Sequence, residues 1–506
     1  MAIPPEKLAD SLQALKSLQD QGITAIQTRQ LSRTHRERLL RAGFIREVMK
    51  GWYIATRTDE TPGESTAWYT SFWGFGADYL RHRFGTEWVL SPEQSISLHT
   101  GNRTVPRQLL VRSPKGGNKP LQLPFSTSVF DIRLELPPPA DIENKDGLNI
   151  FVLPAALVAC SAAQFAAAPA EMRAALSAIT DASSVLSRLL AGGHSSVAGR
   201  LAGAFRNIGR GQIADNIVQT MRTAGYAVNE SDPFADKPAV SFGPRETSPY
   251  VNRIRMMWEN MRAPVMAQFP AAPGLPNDAT AYLKHLDDLF ATDAYHSLSI
   301  EGYQVNADLI ERVRSGKWNP DANANDQEQR NALAARGYWQ AFQSVKQSVG
   351  RVLGGDNAGL VSDKDHSAWY RELFGPSVVA GILKPADLAG YRNGPVYIRR
   401  SMHVPPSPEA VRELMPALFA LLQDEEVPAV RAVLGHFVFV YIHPYFDGNG
   451  RMGRFLMNVM LASGGYPWTV IPVEKRADYM AALESASVGQ NIESFAKFVS
   501  DLMARW

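Results

Sequence analysis

The segment that most constrains how this chain can fold is residues 443–454, which read His-Pro-Tyr-Phe-Asp-Gly-Asn-Gly-Arg-Met-Gly-Arg. An apolar helical pattern that begins near Pro428 leads into it. Pro444 must end that helix, because proline lacks a backbone donor and restricts the residue before it. After the loop, apolar residues recur at helical spacing at Met452, Phe455, Leu456, Val459 and Met460. The pattern predicts a helix, a glycine-rich loop and a second helix, with His443 at the end of the first.

The loop between these helices has the residue types of an anion-binding site. The Gly-Asn-Gly run at 448–450 allows backbone N–H groups to point inward at the positively polarised start of the second helix. Arg451 and Arg454 can hold further phosphate oxygens through their planar guanidinium groups. Asn458 lies on the same polar face of the predicted helix. The loop therefore predicts a site for a nucleotide polyphosphate.

Two titratable side chains complete this predicted site. Asp447 would lie beside the bound phosphates, an arrangement that fits a hard cation such as Mg²⁺ bridging carboxylate and phosphate. The imidazole of His443, with an ordinary pKa of about 6.5, can accept a proton from an attacking hydroxyl at neutral pH. A Gly-Asn-Gly turn or a histidine beside a proline is usually structural when it stands alone. Their combination in one loop favours a nucleotide site with a general base.

These residues resemble the motif of the Fic (filamentation induced by cAMP) family, His-Pro-Phe-x-Asp/Glu-Gly-Asn-Gly-Arg-x-x-Arg, with Tyr445 where phenylalanine is usual. The resemblance covers roughly residues 250–506 and implies a mainly α-helical Fic core at about 360–503. It also implies the activity of a protein adenylyltransferase. Such an enzyme transfers AMP from ATP to a Ser, Thr or Tyr hydroxyl of a target protein, or of itself, and releases pyrophosphate. The intact Asn-Gly pair of the loop favours nucleotidyl over phosphoryl transfer.

The resemblance implies a role for each residue of the motif. His443 is expected to be the general base and Asp447 the Mg²⁺ ligand. The residues expected to bind ATP are Gly448, Asn449, Gly450, Arg451, Arg454, Asn458 and Tyr479. Of these, Tyr479 aligns with an aromatic residue near the adenine in relatives, and a place in the hydrophobic core is its alternative.

A segment upstream of the motif resembles the flap of the same family, a β-hairpin that positions the extended backbone of the target by strand addition. It consists of residues 394–399, Gly-Pro-Val-Tyr-Ile-Arg, and 402–406, Met-His-Val-Pro-Pro. The positioning residues that it implies are Val396, Ile398 and His403. A surface hairpin without this role is the alternative.

A second upstream segment, Ser-Leu-Ser-Ile-Glu-Gly at 297–302, resembles the family's inhibitory motif Ser/Thr-x-x-x-Glu-Gly/Asn. Ser297 and Glu301 are four residues apart and share one helix face, and Gly302 suits the helix end. The resemblance implies an inhibitory helix at about 290–302. Glu301 would pair with Arg454 in the place of the γ-phosphate, so that ATP would bind in a non-productive pose.

The first 60 residues read as three helices, the second over 25–31, followed by a hairpin. Between Ala25 and Arg57 there are eight Lys and Arg residues against two Glu. This pattern is typical of a winged helix-turn-helix on duplex DNA. The residues expected to contact DNA are Arg33, Thr34, Arg36 and Arg41 on the recognition helix and Lys50 at the wing. The segment resembles AbiEi-type antitoxins and regulators, and a winged helix used for protein contact is the alternative.

Composition sets the remaining expectations. With 506 residues, 45% of them apolar, the chain has room for about three domains, and we expect residues 61–240 to be a mixed α/β accessory region. Cys160 stands alone, which excludes an internal disulfide and a multi-cysteine metal site. The start of the chain has no signal-peptide pattern, and no apolar run reaches the roughly 20 residues of a membrane span. We therefore expect a cytoplasmic protein with no membrane partner.

Two functions of different kinds follow from these patterns. The first is a multidomain adenylyltransferase that is autoinhibited by Glu301 and carries a DNA-binding head. The second is a DNA-binding transcriptional regulator or antitoxin-like protein that uses its Fic half as a nucleotide sensor. The net charge of +2, with 52 Lys and Arg against 50 Asp and Glu, excludes a uniformly basic surface, so DNA binding would depend on the local cluster. The family further implies a homodimer.

Overall fold

The chain divides into two units, seen here in a computed structural model that describes residues 5–56, 64–234, 248–316 and 326–503. Unit 1 contains Met1–Pro249 together with the short segment Tyr397–Val404. Unit 2 contains Tyr250–Val396 and Pro405–Trp506. Every helix of the described residues is too short or too polar to cross a membrane.

The N-terminal part of unit 1 is a small helical layer against a three-stranded sheet. Its elements are α1 (Pro5–Asp20), β1 (Ile26–Gln27), a 3₁₀ turn (Thr28–Gln30), α2 (Arg33–Arg41), β2 (Ile45–Met49) and β3 (Trp52–Ala55). The strands are antiparallel in the order β1-β3-β2. Ser32 caps α2 by accepting a hydrogen bond from the N–H of His35, and Gly43 follows the helix with a φ of 76°.

The prediction of a helix over residues 25–31 is wrong. Ile26 pairs with Tyr53 in the sheet, and only Thr28–Gln30 forms a single 3₁₀ turn. The carboxylate of Asp78 accepts hydrogen bonds from the N–H groups of Thr24 and Ala25 at 2.9 and 3.0 Å. This tertiary contact stabilises a non-helical backbone at Thr24 and Ala25, where the local sequence pattern predicts the start of a helix.

The rest of unit 1 combines helices with two small sheets. The strands are β4 (Val89–Leu90), β5 (Gln108–Ser113), β6 (Pro120–Leu123), β7 (Thr127–Arg133), β8 (Ile142–Lys145) and β9 (Leu148–Phe151). One sheet has the order β4-β5-β7-β6 with β5 and β7 parallel, and β8 pairs with β9. The helices are α3 (Thr66–Phe84), α4 (Pro92–His99), α5 (Leu153–Ala159), α6 (Ala162–Ala167), α7 (Pro169–Ser177), α8 (Ser183–Gly192), α9 (Ser195–Asn207) and α10 (Gly211–Thr223). The core of this part consists largely of aromatic residues of α3, including Trp68, Phe72 and Phe75.

The β-hairpin predicted within residues 394–406 is not present, since the structure describes all of these residues and gives them no strand. Backbone groups of this segment that a hairpin ladder would use instead form hydrogen bonds with other residues of unit 1, to which Tyr397–Val404 belongs. The carbonyl of Met402 accepts from the N–H of Val105 at 2.9 Å, and the N–H of Arg400 donates to Thr66 Oγ1 at 3.1 Å. The guanidinium of Arg399 also pairs with the buried carboxylate of Glu64 at 2.6 Å. The segment is therefore an irregular loop.

Unit 2 is helical. Its helices are α11 (Pro249–Gln268), α12 (Ala279–Ile300), α13 (Ala307–Arg314), α14 (Asp326–Leu353), α15 (Ala358–Val379), α16 (Pro408–Asp424), α17 (Pro428–Ile442), α18 (Asn449–Ala462), α19 (Arg476–Gly489) and α20 (Glu493–Met503). Helices α17 and α18 lie in the middle of the core, and their side chains are almost entirely buried. Because α17 is apolar on nearly all sides, it must be enclosed by other helices, and the loop therefore connects two buried helices.

Candidate active site

His443 stands at the point where α17 ends. It adopts a left-handed conformation, with φ 53° and ψ 61°, and Pro444 follows. Its Nδ1 lies 3.0 Å from the carbonyl oxygen of Val440. Because a carbonyl can only accept, Nδ1 carries the hydrogen, and Nε2 keeps a lone pair that can accept a proton. The geometry thus prepares His443 to act as a base at Nε2.

The charge state of His443 agrees with this role. The pKa of His443 is lowered to about 4, chiefly because the ring is shielded from solvent. The nearby cation of Arg392 also lowers this pKa, and the carboxylates of Glu301 and Asp447 raise it. The imidazole is therefore neutral at pH 7. A neutral imidazole is the form that can take a proton from a hydroxyl.

The loop after His443 is built so tightly that side-chain bulk is excluded. Gly448 has a φ of 82°, and a Cβ there would lie 2.7 Å from the ring of Phe374. The side-chain amide of Asn449 holds the loop closed, since its Oδ1 accepts from the N–H of Tyr445 at 2.9 Å and its Nδ2 donates to the carbonyl of Tyr445 at 2.8 Å. A Cβ on Gly450 would collide with the carboxylate of Glu301. The loop therefore presents backbone rather than side chains at the start of α18.

We expect Gly448→Ala to lower the thermal midpoint of unfolding more than Gly381→Ala. Both glycines have positive φ, 82° and 74°, but a Cβ at Gly381 meets no atom within 4 Å. The two variants share the cost of a left-handed alanine, roughly 1–2 kcal/mol. The collision with Phe374 adds about 1–3 kcal/mol at Gly448 alone. Calorimetry of both variants measures the difference, and equal midpoints would contradict the close approach.

Arg451 is buried between two aromatic rings. Its guanidinium carbon lies 5.2 Å from the ring centre of Tyr303 and 5.0 Å from that of Phe374. Its Nη2 lies 3.3 Å from Asp447 Oδ2, and its buried Nε has no hydrogen-bond partner among the described residues. An unsatisfied buried donor is costly, so Nε of Arg451 is available to an acceptor that the described residues do not supply.

Arg454 is buried one turn further along α18. Its Nε donates to Ser297 Oγ at 2.9 Å, and its Nη2 donates to the carbonyl of Ser297 at 3.0 Å and to Glu301 Oε1 at 2.7 Å. Its Nη1 is buried, has no partner within the part of the chain that the structure describes, and lies 3.1 Å from the point that a Cβ on Gly450 would occupy. Arg451 and Arg454 thus each keep one donor unsatisfied at the positively polarised end of α18, which is where an anion binds.

Glu301 and Gly302 end the helix that carries Ser297. Glu301 follows α12 directly, and Gly302 has a φ of 88°. One turn before Ser297, the buried carboxylate of Asp293 accepts a hydrogen bond of 2.7 Å from the hydroxyl of Tyr338. Sequence reasoning missed Asp293, although its spacing of four from Ser297 is the same as that between Ser297 and Glu301. These residues form one polar stripe along α12.

Asn458 and Tyr479, both predicted to bind ATP, lie in the interior. The amide of Asn458 accepts from the N–H of Thr469 at 2.7 Å and donates to its carbonyl at 3.1 Å. The hydroxyl of Tyr479 lies 2.8 Å from Nε2 of the buried His436, and its ring is 1% exposed. These contacts hold α18 and α19 in the core, and a contact of either residue with ATP stays a prediction.

Asp447 is the carboxylate of the loop that could contact a cation. Its Oδ1 accepts from the N–H of Gly448 at 2.6 Å, and its side chain is 62% exposed. The described residues contain no cluster of three or more His, Cys, Asp or Glu side chains suited to a metal ion. One exposed carboxylate beside unsatisfied anion donors fits a Mg²⁺ ion that takes its other ligands from phosphate and water.

The residues predicted to contact DNA lie in the N-terminal part of unit 1. Arg33, Thr34 and Arg41 are exposed on α2, and Lys50 is exposed in the turn between β2 and β3. Arg33 pairs with Glu37 at 2.7 Å, and Arg36 donates to the carbonyl of Thr28 at 3.1 Å. The basic side chains of this segment therefore face solvent in part and support the fold in part.

Comparison with known proteins places the loop in a family. Residues 366–461 match the Fic/DOC family. "Protein adenylyltransferase Fic" of Drosophila mojavensis is 26% identical over 273 residues, which cover 52% of this chain and 51% of that protein. The protein of the same name from Nematostella vectensis is 40% identical over 126 residues, covering 24% and 29%. The chain thus spans about half, or less, of the length of these relatives.

A solved structure of part of Fic-1 from C. elegans is also similar, at 20% identity with a TM-score of 0.36, covering 63% of this chain and 88% of that one. The sequence match at residues 366–461 includes His443, the glycine-rich loop and most of α18. Residues 366–461 are therefore similar to the Fic/DOC family, and they include His443 and the loop with its two arginines, whereas Ser297 and Glu301 lie outside the match.

Proposed function

We propose that this protein is a protein adenylyltransferase that transfers AMP from ATP to a Ser, Thr or Tyr hydroxyl of a protein. The observation that carries the proposal is the neutral imidazole of His443, with Nε2 free to accept a proton, on the loop that leads into the unsatisfied donors of Arg451 and Arg454. The relatives named protein adenylyltransferase support it. A base next to a polyphosphate site is what nucleotidyl transfer requires.

The proposed reaction uses this chain's residues in three ways. The target hydroxyl attacks the α-phosphorus of ATP and gives its proton to Nε2 of His443. The bond between the α-phosphorus and the bridging oxygen breaks, and pyrophosphate leaves with that oxygen. Arg451, Arg454 and the N–H groups at the start of α18 hold the negative charge of the phosphates. Bound Mg²⁺, which Asp447 would hold together with phosphate oxygens, would neutralise further charge.

Labelled nucleotide tests the proposal directly. The full chain is incubated with Mg²⁺ and ATP labelled at the α-phosphate, and a parallel sample receives ATP labelled at the γ-phosphate. We expect weak labelling of the protein itself from the α-label and none from the γ-label. Mass spectrometry should then find AMP on a hydroxyl side chain. Label from the γ-phosphate alone would mean phosphoryl transfer, and no label, even after release of the inhibition proposed next, would favour the nucleotide-sensor alternative.

We also propose that Glu301 inhibits this activity. Its carboxylate already accepts a hydrogen bond of 2.7 Å from Nη2 of Arg454, and it lies close to Gly450. Both positions belong to the proposed phosphate site, so the γ-phosphate and the Glu301 carboxylate would compete for the same donor. The repulsion between two anions would keep ATP from its productive pose.

A second proposed function, binding of duplex DNA, concerns the N-terminal part of unit 1. It is favoured by the order β1-β3-β2 of its sheet, with α2 before the hairpin and Lys50 in the hairpin turn. This order supports the proposal of a winged helix, which would place α2 in the major groove and the turn beside the phosphate backbone. DNA binding without any AMP transfer would instead support the regulator or antitoxin-like alternative.

DNA binding should depend steeply on salt. If the domain neutralises about five phosphates, its affinity for a duplex should fall roughly 10²–10³-fold between 50 and 200 mM salt. The double variant Arg41→Glu and Lys50→Glu should lose most of the binding at low salt, whereas Lys497→Glu in α20 should not. Fluorescence anisotropy with a labelled duplex measures both. Absence of binding at 50 mM salt would leave the domain as a protein-contact module.

A further inference from the structure

Arg392 is a buried arginine whose contacts are unusual for a charged side chain. It is 1% exposed, and within the described residues its guanidinium donates to backbone carbonyls rather than to a carboxylate. Burial lowers the pKa of Arg392 to about 10, so that it still carries its charge at pH 7. Placing a cation in such surroundings is costly unless its donors are satisfied by acceptors of matching geometry.

Two of the acceptors belong to the end of α17. Nε of Arg392 donates to the carbonyl of His443 at 2.7 Å, and Nη2 lies 3.4 Å from the carbonyl of Ile442. The backbone N–H of Arg392 also donates to the carbonyl of Pro444 at 2.9 Å. The last carbonyls of a helix have no partner within it, and a left-handed histidine costs about 1 kcal/mol or more. Arg392 satisfies these carbonyls with His443 in this left-handed conformation.

The other two acceptors stand on either side of one loop. Nη1 of Arg392 donates to the carbonyl of Gly394 at 3.0 Å, and Nη2 donates to the carbonyl of Pro406. Gly394 and Pro406 flank the loop 395–405, which contains the residues predicted to position the target. One guanidinium group therefore joins the two stems of this loop to the backbone of His443.

We infer that Arg392 is a positioning residue for the proposed transfer: through four backbone carbonyls it fixes His443 and the stem of the 395–405 loop in one arrangement. The inference rests on the proposed function, because it gives His443 the role of base. Planar donors in a fixed fork are needed for this pattern, and a lysine ammonium cannot reproduce them. Because the hydrogen bonds found for Arg392 go to residues 394, 406 and 442–444 and not to the loop at 448–450, its loss should affect the chemical step more than ATP binding.

The charge of Arg392 also bears on the base. It is the cation that lowers the pKa of His443, whereas the carboxylates of Glu301 and Asp447 raise it. Replacing Arg392 by a neutral residue should therefore raise the pKa of His443, and replacing it by lysine should raise it less. A residue that merely filled space would leave this pKa unchanged.

The test uses the full chain with Glu301→Gly as the parent, so that transfer is measurable. Arg392→Lys and Arg392→Gln are compared with Arg262→Lys, which alters an arginine paired with Glu425 in another part of unit 2. We expect both Arg392 variants to lower kcat by about 10- to 100-fold and to leave KM for ATP within about 3-fold. NMR titration of the His443 imidazole should show a raised pKa in Arg392→Gln. Arg262→Lys should leave all three quantities near the parent.

The outcomes separate this inference from the proposed function. A parent that transfers no AMP contradicts the proposed function, and the titration of His443 then decides on Arg392 alone. An unchanged His443 titration in Arg392→Gln, or an Arg392→Lys variant with the kcat of the parent, overturns the inference. Equal losses of ATP binding and kcat would assign Arg392 a purely structural role, as would failure of Arg392→Lys to fold, and would overturn it as well.

Discussion

Replacing His443 by alanine should reduce AMP transfer by about 10²- to 10⁴-fold, the usual contribution of a positioned general base. The expected loss follows from the role of Nε2. Because Nδ1 donates to the carbonyl of Val440, Nε2 is the imidazole nitrogen that can accept the proton of the attacking hydroxyl. The donors expected to bind the phosphates belong to Arg451, Arg454 and the backbone of the loop. ATP binding should therefore stay within about 3-fold of the parent, since a lost base does not remove these donors.

The measurement compares His443→Ala with the parent in the Glu301→Gly background, using α-labelled ATP for transfer and calorimetry for ATP binding. His285→Ala serves as the control, because it removes an exposed histidine of α12. The control should transfer AMP at the parent rate. If His443→Ala kept more than about a tenth of the parent rate, another group would have to accept the proton, and the assignment of His443 would fail.

The parts of the site that the sequence predicts well are those fixed by backbone chemistry. Helix α17 ends at Ile442, two residues before Pro444, and Gly448 directly precedes α18 with the positive φ that glycine permits. Each boundary depends on one residue and its neighbours in the chain. Such local constraints act in the same way in any fold.

The parts that the sequence does not predict depend on distant partners. Tyr303 and Phe374 enclose Arg451 from two other parts of the chain, and no spacing rule links them to the loop. The predicted hairpin at 394–406 fails for the same reason. Its alternating apolar residues fit a strand, but Val105 and Thr66 take the backbone partners that a strand would need. Tertiary hydrogen bonds outweigh β-propensity here.

The usual phenylalanine of the motif is replaced by Tyr445, whose ring packs in the interior as that of a phenylalanine could. The ring of Tyr445 is buried and stacks on that of Tyr370, with 3.8 Å between the ring centres and 8° between the planes. Its backbone is clamped by the side chain of Asn449 through both N–H and carbonyl. The asparagine of the motif therefore acts on loop shape through its side chain, a contact that the sequence pattern did not indicate.

The variant Glu301→Gly should raise AMP transfer by about 10- to 100-fold, a size typical of coupling between an inhibitory contact and a ligand site. The carboxylate of Glu301 pairs with Nη2 of Arg454 at 2.7 Å. Removing it leaves Nη2 of Arg454 bonded to the carbonyl of Ser297 and frees its second hydrogen for the γ-phosphate. Because Glu301 lies at the end of α12 with a φ of −83° and a ψ of 0°, glycine there does not strain the backbone.

A matched variant separates charge from bulk. Glu301→Gln keeps the size of the side chain but removes its negative charge, so it should release the inhibition only in part if bulk beside Gly450 matters as well as charge. Label from α-labelled ATP, on the protein itself and on proteins of a cell extract, measures both variants against the unmodified chain. In the same assay, adding His443→Ala to Glu301→Gly should remove the gain. A carboxylate that competes with the γ-phosphate must lower the rate of AMP transfer while it is present. Equal labelling of the unmodified chain and of both Glu301 variants would therefore show that the pairing with Arg454 does not inhibit the enzyme.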